Sequence, residues 1–321
     1  MNFRPFCKNS TKVSELGLGL SQLSQTQNKN LYGYKSEKHV LSIIKYAIKK
    51  KINFFDTSDS YGDTERILGQ LNKKEKEKII ISTKSGRKKN SERSFDKKYL
   101  ENQLDKSLKN LNIDTVDIYM LNKPNYRILE KEDLINFTEN LKKKGKIRYS
   151  GIVIGEKKNF NKIINNSEID CFSVLFNLLN TEDINLIKLI KKKNKGLVIR
   201  SPLNSGILGG NIALKTKFNL KDERSKYFTG QNFEKKINKF EKLKKILKIK
   251  TNKNLLKSSL DFILTNRSVS TVLVGCSSIN QLKEIISYSS NTKYMTKKTF
   301  KKALKSSRDL SKKFKTIDQI F

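Results

Sequence analysis

The sequence is poor in several residue types that mark particular classes of protein. It has one histidine, three cysteines, three prolines and no tryptophan in 321 residues. It contains no apolar run near the length of about 18 residues that a transmembrane helix needs, and residues 1–5 lack the basic-then-apolar layout of a signal peptide. Cys7, Cys171 and Cys276 are far apart and lack metal-ligand spacing. We therefore expect a cytoplasmic protein with reduced structural thiols, no membrane association and no metal site.

Acidic residues are also scarce relative to basic ones. The chain has 31 Asp and Glu against 68 Lys and Arg, a formal charge of +37, which is typical of nucleic-acid-binding proteins. Only ten of the basic residues are Arg, however, and Lys, Asn and Ile are enriched along the whole length, as AT-rich codon usage would produce. Because lysine contacts to phosphate alone are non-specific and salt-dependent, we expect no specific nucleic-acid partner.

Short β-like runs alternate with longer amphipathic stretches from one end of the sequence to the other. A hairpin is predicted within 4–20, and helices are predicted to close the chain at 279–288 and 296–314. The eight predicted barrel strands are 16–20, 52–55, 78–83, 116–121, 146–152, 171–175, 196–201 and 270–274. This pattern predicts a single-domain parallel (β/α)8 TIM barrel over residues 1–321, with a core from about 13 to 287.

An open doubly wound sheet is the alternative architecture. That class usually carries a glycine-rich first turn, but the segment from Gly17 to Gln22 lacks the third glycine, and a P-loop lysine motif is absent.

The interval 202–234, rich in Lys, Asn and Gly, is the longest interruption of the alternation and predicts a large loop. Helices are predicted between the barrel strands along the sequence, among them 36–50, 96–110, 131–143 and 234–249.

Four chemically compatible side chains follow three successive predicted strands. Asp56 and Tyr61 follow the second strand, Lys84 ends the third, and Asn122 ends the fourth. The carboxyl ends of strands in a parallel barrel face the same mouth, so these side chains should converge. A buried lysine ammonium needs a partner such as Asp56, and the same ammonium favours the phenolate of Tyr61. Each residue alone suits an ordinary turn or surface role, whereas the four together predict a site for general acid catalysis.

Several segments together resemble the aldo-keto reductase family, in the family's order from about residue 13 to residue 287. The segments that carry the resemblance are Asn53-Phe54-Phe55-Asp56-Thr57-Ser58-Asp59-Ser60-Tyr61-Gly62 with Glu65 and Leu68-Gly69, Ile81-Ser82-Thr83-Lys84, Val116-Asp117-Ile118-Tyr119-Met120-Leu121, Gly145-Lys146-Ile147-Arg148-Tyr149-Ser150-Gly151, Ser201-Pro202-Leu203 with Gly206 and Leu208, and Gly275 with Ser277 and Gln281.

The resemblance implies an oxidoreductase that binds NADPH, with NADH as the less frequent cofactor, and passes a hydride to the carbonyl carbon of a small aldehyde, ketone or sugar. It implies that Tyr61 is the proton donor, with Lys84, Asp56 and Asn122 as the other catalytic residues. The cofactor-binding residues that it implies are Ser201, Leu203 and Ser205 at the pyrophosphate, Gly275, Ser277, Gln281 and Glu284 at the adenosine end, and Ser173 near the nicotinamide.

The sequence departs from the family pattern at several of these positions. Asn122 stands where the family usually has a catalytic histidine, and an amide can donate a hydrogen bond but is not a proton source. The sole histidine, His39, is predicted to lie on the helix before the second strand in a surface or packing role. Val153-Ile154 replaces a Ser-Asn pair, Ser173 replaces a glutamine, and Ser278 replaces an arginine often paired with the 2′-phosphate.

These departures leave two functional interpretations open. The leading one is an active or slow carbonyl reductase, because Asp56, Tyr61 and Lys84 are present. The alternative is an NADPH-binding regulatory or weakly active protein, as in potassium-channel β subunits, which also carry asparagine at the histidine position. The sequence defines neither the NADP or NAD preference nor the oligomeric state.

Overall fold

The computed structural model describes residues 1–7, 11–24, 35–88, 92–156, 158–166, 168–210, 212–218, 222, 224–290 and 295–314. The strands in these ranges are β1 Phe3–Pro5, β2 Lys12–Ser14, β3 Leu16–Gly19, β4 Phe54–Asp56, β5 Ile80–Ser85, β6 Val116–Asn122, β7 Ile147–Val153, β8 Cys171–Leu175, β9 Gly196–Arg200 and β10 Thr271–Val274. The α-helices are α1 Glu37–Lys49, α2 Thr64–Gly69, α3 Lys73–Lys76, α4 Lys97–Leu111, α5 Tyr126–Lys131, α6 Leu134–Lys143, α7 Phe160–Asn166, α8 Ile184–Lys192, α9 Arg224–Tyr227, α10 Gly230–Ile246, α11 Asn252–Leu264, α12 Ile279–Ser290 and α13 Lys297–Phe314.

Strands β3 to β10 form a closed barrel in the order β10-β3-β4-β5-β6-β7-β8-β9. Every neighbouring pair in the barrel is parallel, and the register places Asp56 opposite Ser82 and Asn122 opposite Val153. Each predicted barrel strand lies within two residues of an observed one. The structure thus confirms the predicted parallel (β/α)8 barrel, and the open doubly wound alternative is wrong.

Side chains of each barrel strand alternate between the barrel interior and the surrounding helices, as the two-residue period of a strand requires. In β6, Ile118 and Met120 belong to the interior cluster, where they join Phe54 of β4. Tyr119 and Leu121 belong instead to the larger apolar layer between barrel and helices. Both layers are closely packed, so the strand ends that carry the site rest on a rigid support.

The predicted hairpin is present as the antiparallel pair β1–β2. Phe6, which follows β1, is fully buried in the interior cluster and contacts Phe54 and Tyr149, with ring centroids 5.9 and 6.1 Å away. Arg4 is also buried; its Nε donates to Glu15 Oε1 at 2.6 Å and its Nη2 donates to the carbonyl oxygen of Leu264 at 2.6 Å. These contacts attach the hairpin both to the inside of the barrel and to the end of α11.

Two predicted segments differ from the observed ones. The interval 202–234 is not a single loop, since it contains a 3₁₀ helix at Asn204–Gly209, helix α9 and the start of α10. Stacking of Phe228 on Phe233, with centroids 5.0 Å apart, buries apolar surface that a loop would expose. The helix predicted at 131–143 corresponds to α6, which begins three residues later because Asp133, with a φ of +48°, interrupts the helical backbone, and the short helix α5 before it was not predicted.

The remaining expectations about the scaffold are local. Ser36 caps α1 by accepting a hydrogen bond from the amide of His39 at 3.3 Å, as its position before the helix predicted. All three cysteines are free. In the ranges that the structure describes, none of the helices combines the length and the apolar character needed to cross a bilayer.

Candidate active site

The carboxyl ends of the barrel strands open into a cleft of about 900 Å³, a volume typical of small-molecule and cofactor sites. Every residue that the sequence predicted as catalytic or cofactor-binding lines this cleft. These residues are Asp56, Tyr61, Lys84, Asn122, Ser173, Ser201, Leu203, Ser205, Gly275, Ser277, Gln281 and Glu284. The structure therefore brings the predicted residues together, while the role of each one stays a prediction.

A buried ion pair joins β4 to β5 in this cleft. Lys84 Nζ donates to Asp56 Oδ2 and to the carbonyl oxygen of Thr57, both at 2.7 Å, and the two charged side chains are only 7% and 8% exposed. Burial by itself lowers the pKa of Lys84, but the Asp56 carboxylate and the Tyr61 phenol outweigh it and raise that pKa above its ordinary value. The structure therefore keeps Lys84 as an ammonium.

Tyr61 lies on the turn between β4 and α2, and Lys84 Nζ is 4.7 Å from the centroid of its ring. The turn is held by the Tyr61 amide, which donates to the carbonyl oxygen of Ser58 at 3.0 Å. Gly62 follows with a φ of +57°, a conformation that glycine adopts without strain. The half-buried phenol thus stands between an ammonium and the open cleft, where it can donate a proton to a bound ligand.

Asn122 is half-buried at the end of β6 and lines the same cleft. Arg93 fixes this strand end, because its Nη1 donates to the carbonyl oxygen of Asn122 at 3.3 Å and to that of Lys123 at 2.6 Å. The carboxamide offers a hydrogen-bond donor to a ligand and no titrating proton. The geometry at this position suits orientation of an oxygen atom.

The backbone after β9 is strained at two of the three predicted pyrophosphate residues. Ser201 and Ser205 have φ values of +53° and +55°, and Gly206 follows at +105°. Asn177 holds this turn by donating through Nδ2 to the carbonyl oxygen of Ser201 at 2.9 Å. Left-handed conformations of non-glycine residues are costly and cluster at functional sites, so this turn is a candidate for ligand contact.

The predicted adenosine end lies between β10 and α12. Gln281 Oε1 accepts hydrogen bonds from the amide and the hydroxyl of Ser277, at 2.8 and 3.1 Å. His39 Nε2 is 3.0 Å from the carbonyl oxygen of Ser277, so the sole histidine packs α1 against this segment, as predicted, and is not among the residues that line the cleft. Ser278 accepts a hydrogen bond from the amide of Gln281 at 3.3 Å and caps α12.

The wall between β7 and β8 is less polar than the family pattern, as the sequence predicted. Val153 pairs in register with Ser173, and both line the cleft with 4% and 3% of their surface exposed. Ile154 is buried, and its carbonyl oxygen accepts a hydrogen bond from Arg200 at 3.1 Å. One hydroxyl group therefore stands where the family pattern has several amide and hydroxyl groups.

Six basic residues that the sequence did not predict as site residues also line the cleft: Lys217 and Arg224 follow β9, and the other four are Arg87, Arg93, Lys123 and Arg200. The inward direction of Arg200 could have been predicted from the sequence. Val198 points into the barrel, and the two-residue alternation of a strand places Arg200 inward as well. Arg87, Arg93 and Lys123 lie in loops after β5 and β6, where no periodic pattern indicates the direction of a side chain.

The residues of the cleft fit a nicotinamide dinucleotide. On the side of β9 and β10, Ser201, Ser205, Lys217 and Arg224 supply hydroxyl and cationic groups of the kind that bind a pyrophosphate. A Cβ atom on Gly275 would lie 2.6 Å from the amide end of the Gln22 side chain, so glycine lets Gln22 approach the backbone closely here. The donor set suits a phosphate-bearing ligand.

Comparison with known proteins places this geometry in context. The model of the Aldo/keto reductase family matches residues 15–304. An uncharacterised oxidoreductase of Bacillus subtilis (strain 168), YqkF, is 27% identical over 308 residues, which are 94% of this chain and 95% of that protein. L-galactose dehydrogenase of Arabidopsis thaliana is 26% identical over 307 residues, covering 88% of this chain and 86% of the relative.

Among solved structures, the holo form of aldo-keto reductase AKR11C1 from Bacillus halodurans superposes with a TM-score of 0.78. It is 23% identical, and the match covers 95% of this chain and 96% of that one. At this identity the likeness concerns the fold, and the (β/α)8 barrel is common to both proteins.

Proposed function

Because this chain belongs to the aldo-keto reductase family, we propose that it is an NAD(P)H-dependent reductase of a small aldehyde, ketone or sugar, with Tyr61 as proton donor. Membership makes the chain an oxidoreductase of a family that uses nicotinamide cofactors. The observation that carries the finer proposal is the position of Lys84, whose Nζ lies 2.7 Å from Asp56 Oδ2 and 4.7 Å from the centre of the Tyr61 ring.

The roles of the chain's own residues follow from that arrangement. When bound, the reduced nicotinamide supplies the hydride that the carbonyl carbon accepts. Tyr61 donates its phenolic proton to the carbonyl oxygen, and Lys84 stabilises the phenolate that remains. Asp56 keeps Lys84 charged and fixes its direction. Asn122 donates a hydrogen bond to the same oxygen through its carboxamide and orients the carbonyl.

The cofactor would be held along the strained turn after β9 and the segment after β10. Ser201, Leu203 and Ser205 would contact the pyrophosphate, and Gly275 with Ser277 would contact the adenosine end. We propose NADPH as the preferred cofactor, with NADH as the weaker one, because the family uses nicotinamide cofactors and Lys217 lines the cleft on the side of β9 and β10, where its ammonium would favour an additional phosphate. Fluorescence titration of the purified protein with each cofactor tests this preference directly.

The activity is tested by mixing the protein with NADPH and a panel of aldehydes, ketones and sugars while nicotinamide absorbance is followed. Tyr61→Phe should lower kcat by about 10²-fold to 10⁴-fold, the usual contribution of a positioned general acid. Tyr46→Phe is the matched control, because the Tyr46 ring also lies under a lysine, with Lys50 Nζ 5.7 Å from its centroid, but on the outer helix α1. Cofactor binding with no turnover of any substrate would contradict the proposal and favour a regulatory NADPH-binding protein.

A further inference from the structure

Four basic side chains form a cluster at one side of the cleft, and the reaction just described uses none of them. We define this basic cluster as Arg87, Arg93, Lys123 and Arg200. Arg87 and Arg93 face each other across a bridge in the loop after β5, Lys123 follows β6, and Arg200 ends β9. Arg93 also donates to the carbonyl oxygen of Lys123, and this hydrogen bond connects the loop after β5 to the loop after β6.

The arrangement of the barrel separates Arg87, Arg93 and Lys123 from the predicted adenosine end, whereas Arg200 ends β9, which neighbours β10. In the ring β10-β3-β4-β5-β6-β7-β8-β9, strand β6 is four positions from β10 in either direction. The loops after β5 and β6 therefore lie across the mouth from Gly275 and Ser277, which follow β10. They lie instead beside Asn122 and Tyr61, where the carbonyl of a substrate would stand.

Among the described residues, no carboxylate that lines the cleft forms an ion pair with Arg93, Lys123 or Arg200. In that part of the chain, the carboxylates of the cleft are Asp56, which pairs with Lys84, Asp222, which pairs with Arg224, and Glu284 at the adenosine end. Asp183 acts on Arg200 from outside the cleft and compensates only part of the charge. Arg93, Lys123 and Arg200 thus give the space next to Tyr61 a net positive potential.

Two further observations indicate that an anionic ligand would be stabilised at this position. The Nε atom of Arg200 is enclosed and has no hydrogen-bond partner in the part of the chain that the structure describes, while Nη2 donates to the carbonyl oxygen of Ile154. Burial, together with the charges of Arg200, Arg93 and Arg87, lowers the pKa of Lys123 to about 7. A buried donor without an acceptor and crowded cations are both unfavourable, and an anion placed among them would relieve both costs.

We propose that the basic cluster is a substrate subsite for an anionic group, so that the preferred carbonyl substrate is an aldehyde or ketone bearing a carboxylate or a phosphate. This inference rests on the proposed carbonyl-reductase function and specifies its substrate class. Arg93 and Arg200 can donate paired hydrogen bonds to two oxygens, and Lys123 adds a third charge. The anionic end would be held at the cluster while the carbonyl lies at Tyr61 and Asn122.

Matched substrate pairs test the subsite. Succinic semialdehyde is compared with butanal for the carboxylate, and glyceraldehyde 3-phosphate with glyceraldehyde for the phosphate. At least one anionic member should have a kcat/KM about 10-fold to 100-fold above its neutral partner, and the ratio should fall as salt screens the charges. Lys123→Met and Arg93→Met should each lower that ratio by about 10-fold. Lys109→Met is the charge-matched control, since this exposed lysine lies in the last turn of α4, away from the cleft, and should keep the ratio.

A binding measurement separates failure of the subsite from failure of the proposed function. Calorimetric titration of the NADP⁺-loaded protein with 4-hydroxybutyrate and glycerol 3-phosphate, against butanol and glycerol, needs no turnover. Turnover with equal use of neutral and anionic substrates would overturn the subsite and leave the reductase standing. Absence of turnover with anion binding that Lys123→Met abolishes would support the subsite and overturn the reductase. A loss of NADPH affinity in Lys123→Met as large as the loss for the anion would assign the cluster to the cofactor and overturn the subsite.

Discussion

Replacing Lys84 by methionine tests whether the ion pair at the centre of the site is coupled as the geometry requires. The substitution keeps much of the buried aliphatic volume of Lys84 and removes the charge that contacts Asp56 and Thr57 at 2.7 Å. Asp56 is then left 5% exposed, with the Ser82 hydroxyl at 3.3 Å as its other hydrogen-bond donor. A buried carboxylate with so little compensation is strongly unfavourable.

The size of the effect follows from the burial of both partners. Breaking a buried pair by removing one member costs about 3–5 kcal/mol, because the other charge stays buried. Asp56→Asn should cost a similar amount by leaving the Lys84 ammonium without its counter-ion. The double variant Asp56→Asn/Lys84→Met carries neither charge, so it should be more stable than the sum of the single losses by about 2–3 kcal/mol.

The assay is urea unfolding of the parent, both single variants and the double variant at pH 7, below the ordinary lysine pKa of about 10.4. The matched control is Lys144→Met, which removes an ion pair of the same 2.7 Å length to Glu101 but with 54% and 28% of the side chains exposed. An exposed pair of this kind contributes about 0–1 kcal/mol. Additive losses at Asp56 and Lys84, or a loss at Lys84 no larger than at Lys144, would refute the reasoning.

The remaining predictions concern two polar residues, Asn122 and Asp59. Asn122→His should increase kcat/KM for aldehyde reduction, because an imidazole can both orient the carbonyl oxygen and share in proton delivery, and an unchanged or lower rate would contradict our account of Asn122. Burial raises the pKa of Asp59 to about 6, so the folded protein binds a proton more readily than the unfolded chain between about pH 4 and 6, and this contribution to stability falls as pH rises through that window. Asp59→Asn should therefore stabilise the protein at pH 8 relative to the parent and change little at pH 4, as urea unfolding at both pH values would show; the same difference at both would be evidence against it.

Much of the barrel could be predicted because each strand carries its own periodic signal. The alternation Ile118, Met120, Asn122 identifies β6 and the direction of its last residue from a few letters of sequence. The same rule places Asp56 and Lys84 inward, so the topology of a parallel barrel brings residues that are far apart along the chain close together in space. The four catalytic candidates were predicted from their places at or just after strand ends together with the family resemblance, and all four line one cleft.

The parts that were missed depend on tertiary packing. The start of α10 is decided by Phe233 stacking on Phe228, a contact that a lysine-rich and glycine-containing interval does not reveal. The start of α6 depends on one left-handed residue, Asp133. The basic cluster was overlooked because Arg93 and Lys123 are two among 68 basic residues, and only their position in loops at the cleft distinguishes them.

The hydrogen bonds that Arg4 donates near the end of α11 have a consequence for the order of events during synthesis of the chain. Arg4 donates to the carbonyl oxygens of Leu264, Asn266 and Val269, more than 250 residues further along. Strand β3 must likewise wait for β10 before the ring of strands is complete. A ribosome that adds about 5–20 residues each second therefore holds an open, unclosed sheet for many seconds before these partners emerge. The exposed edge of β3 during that interval is the point at which chaperones should engage the nascent protein.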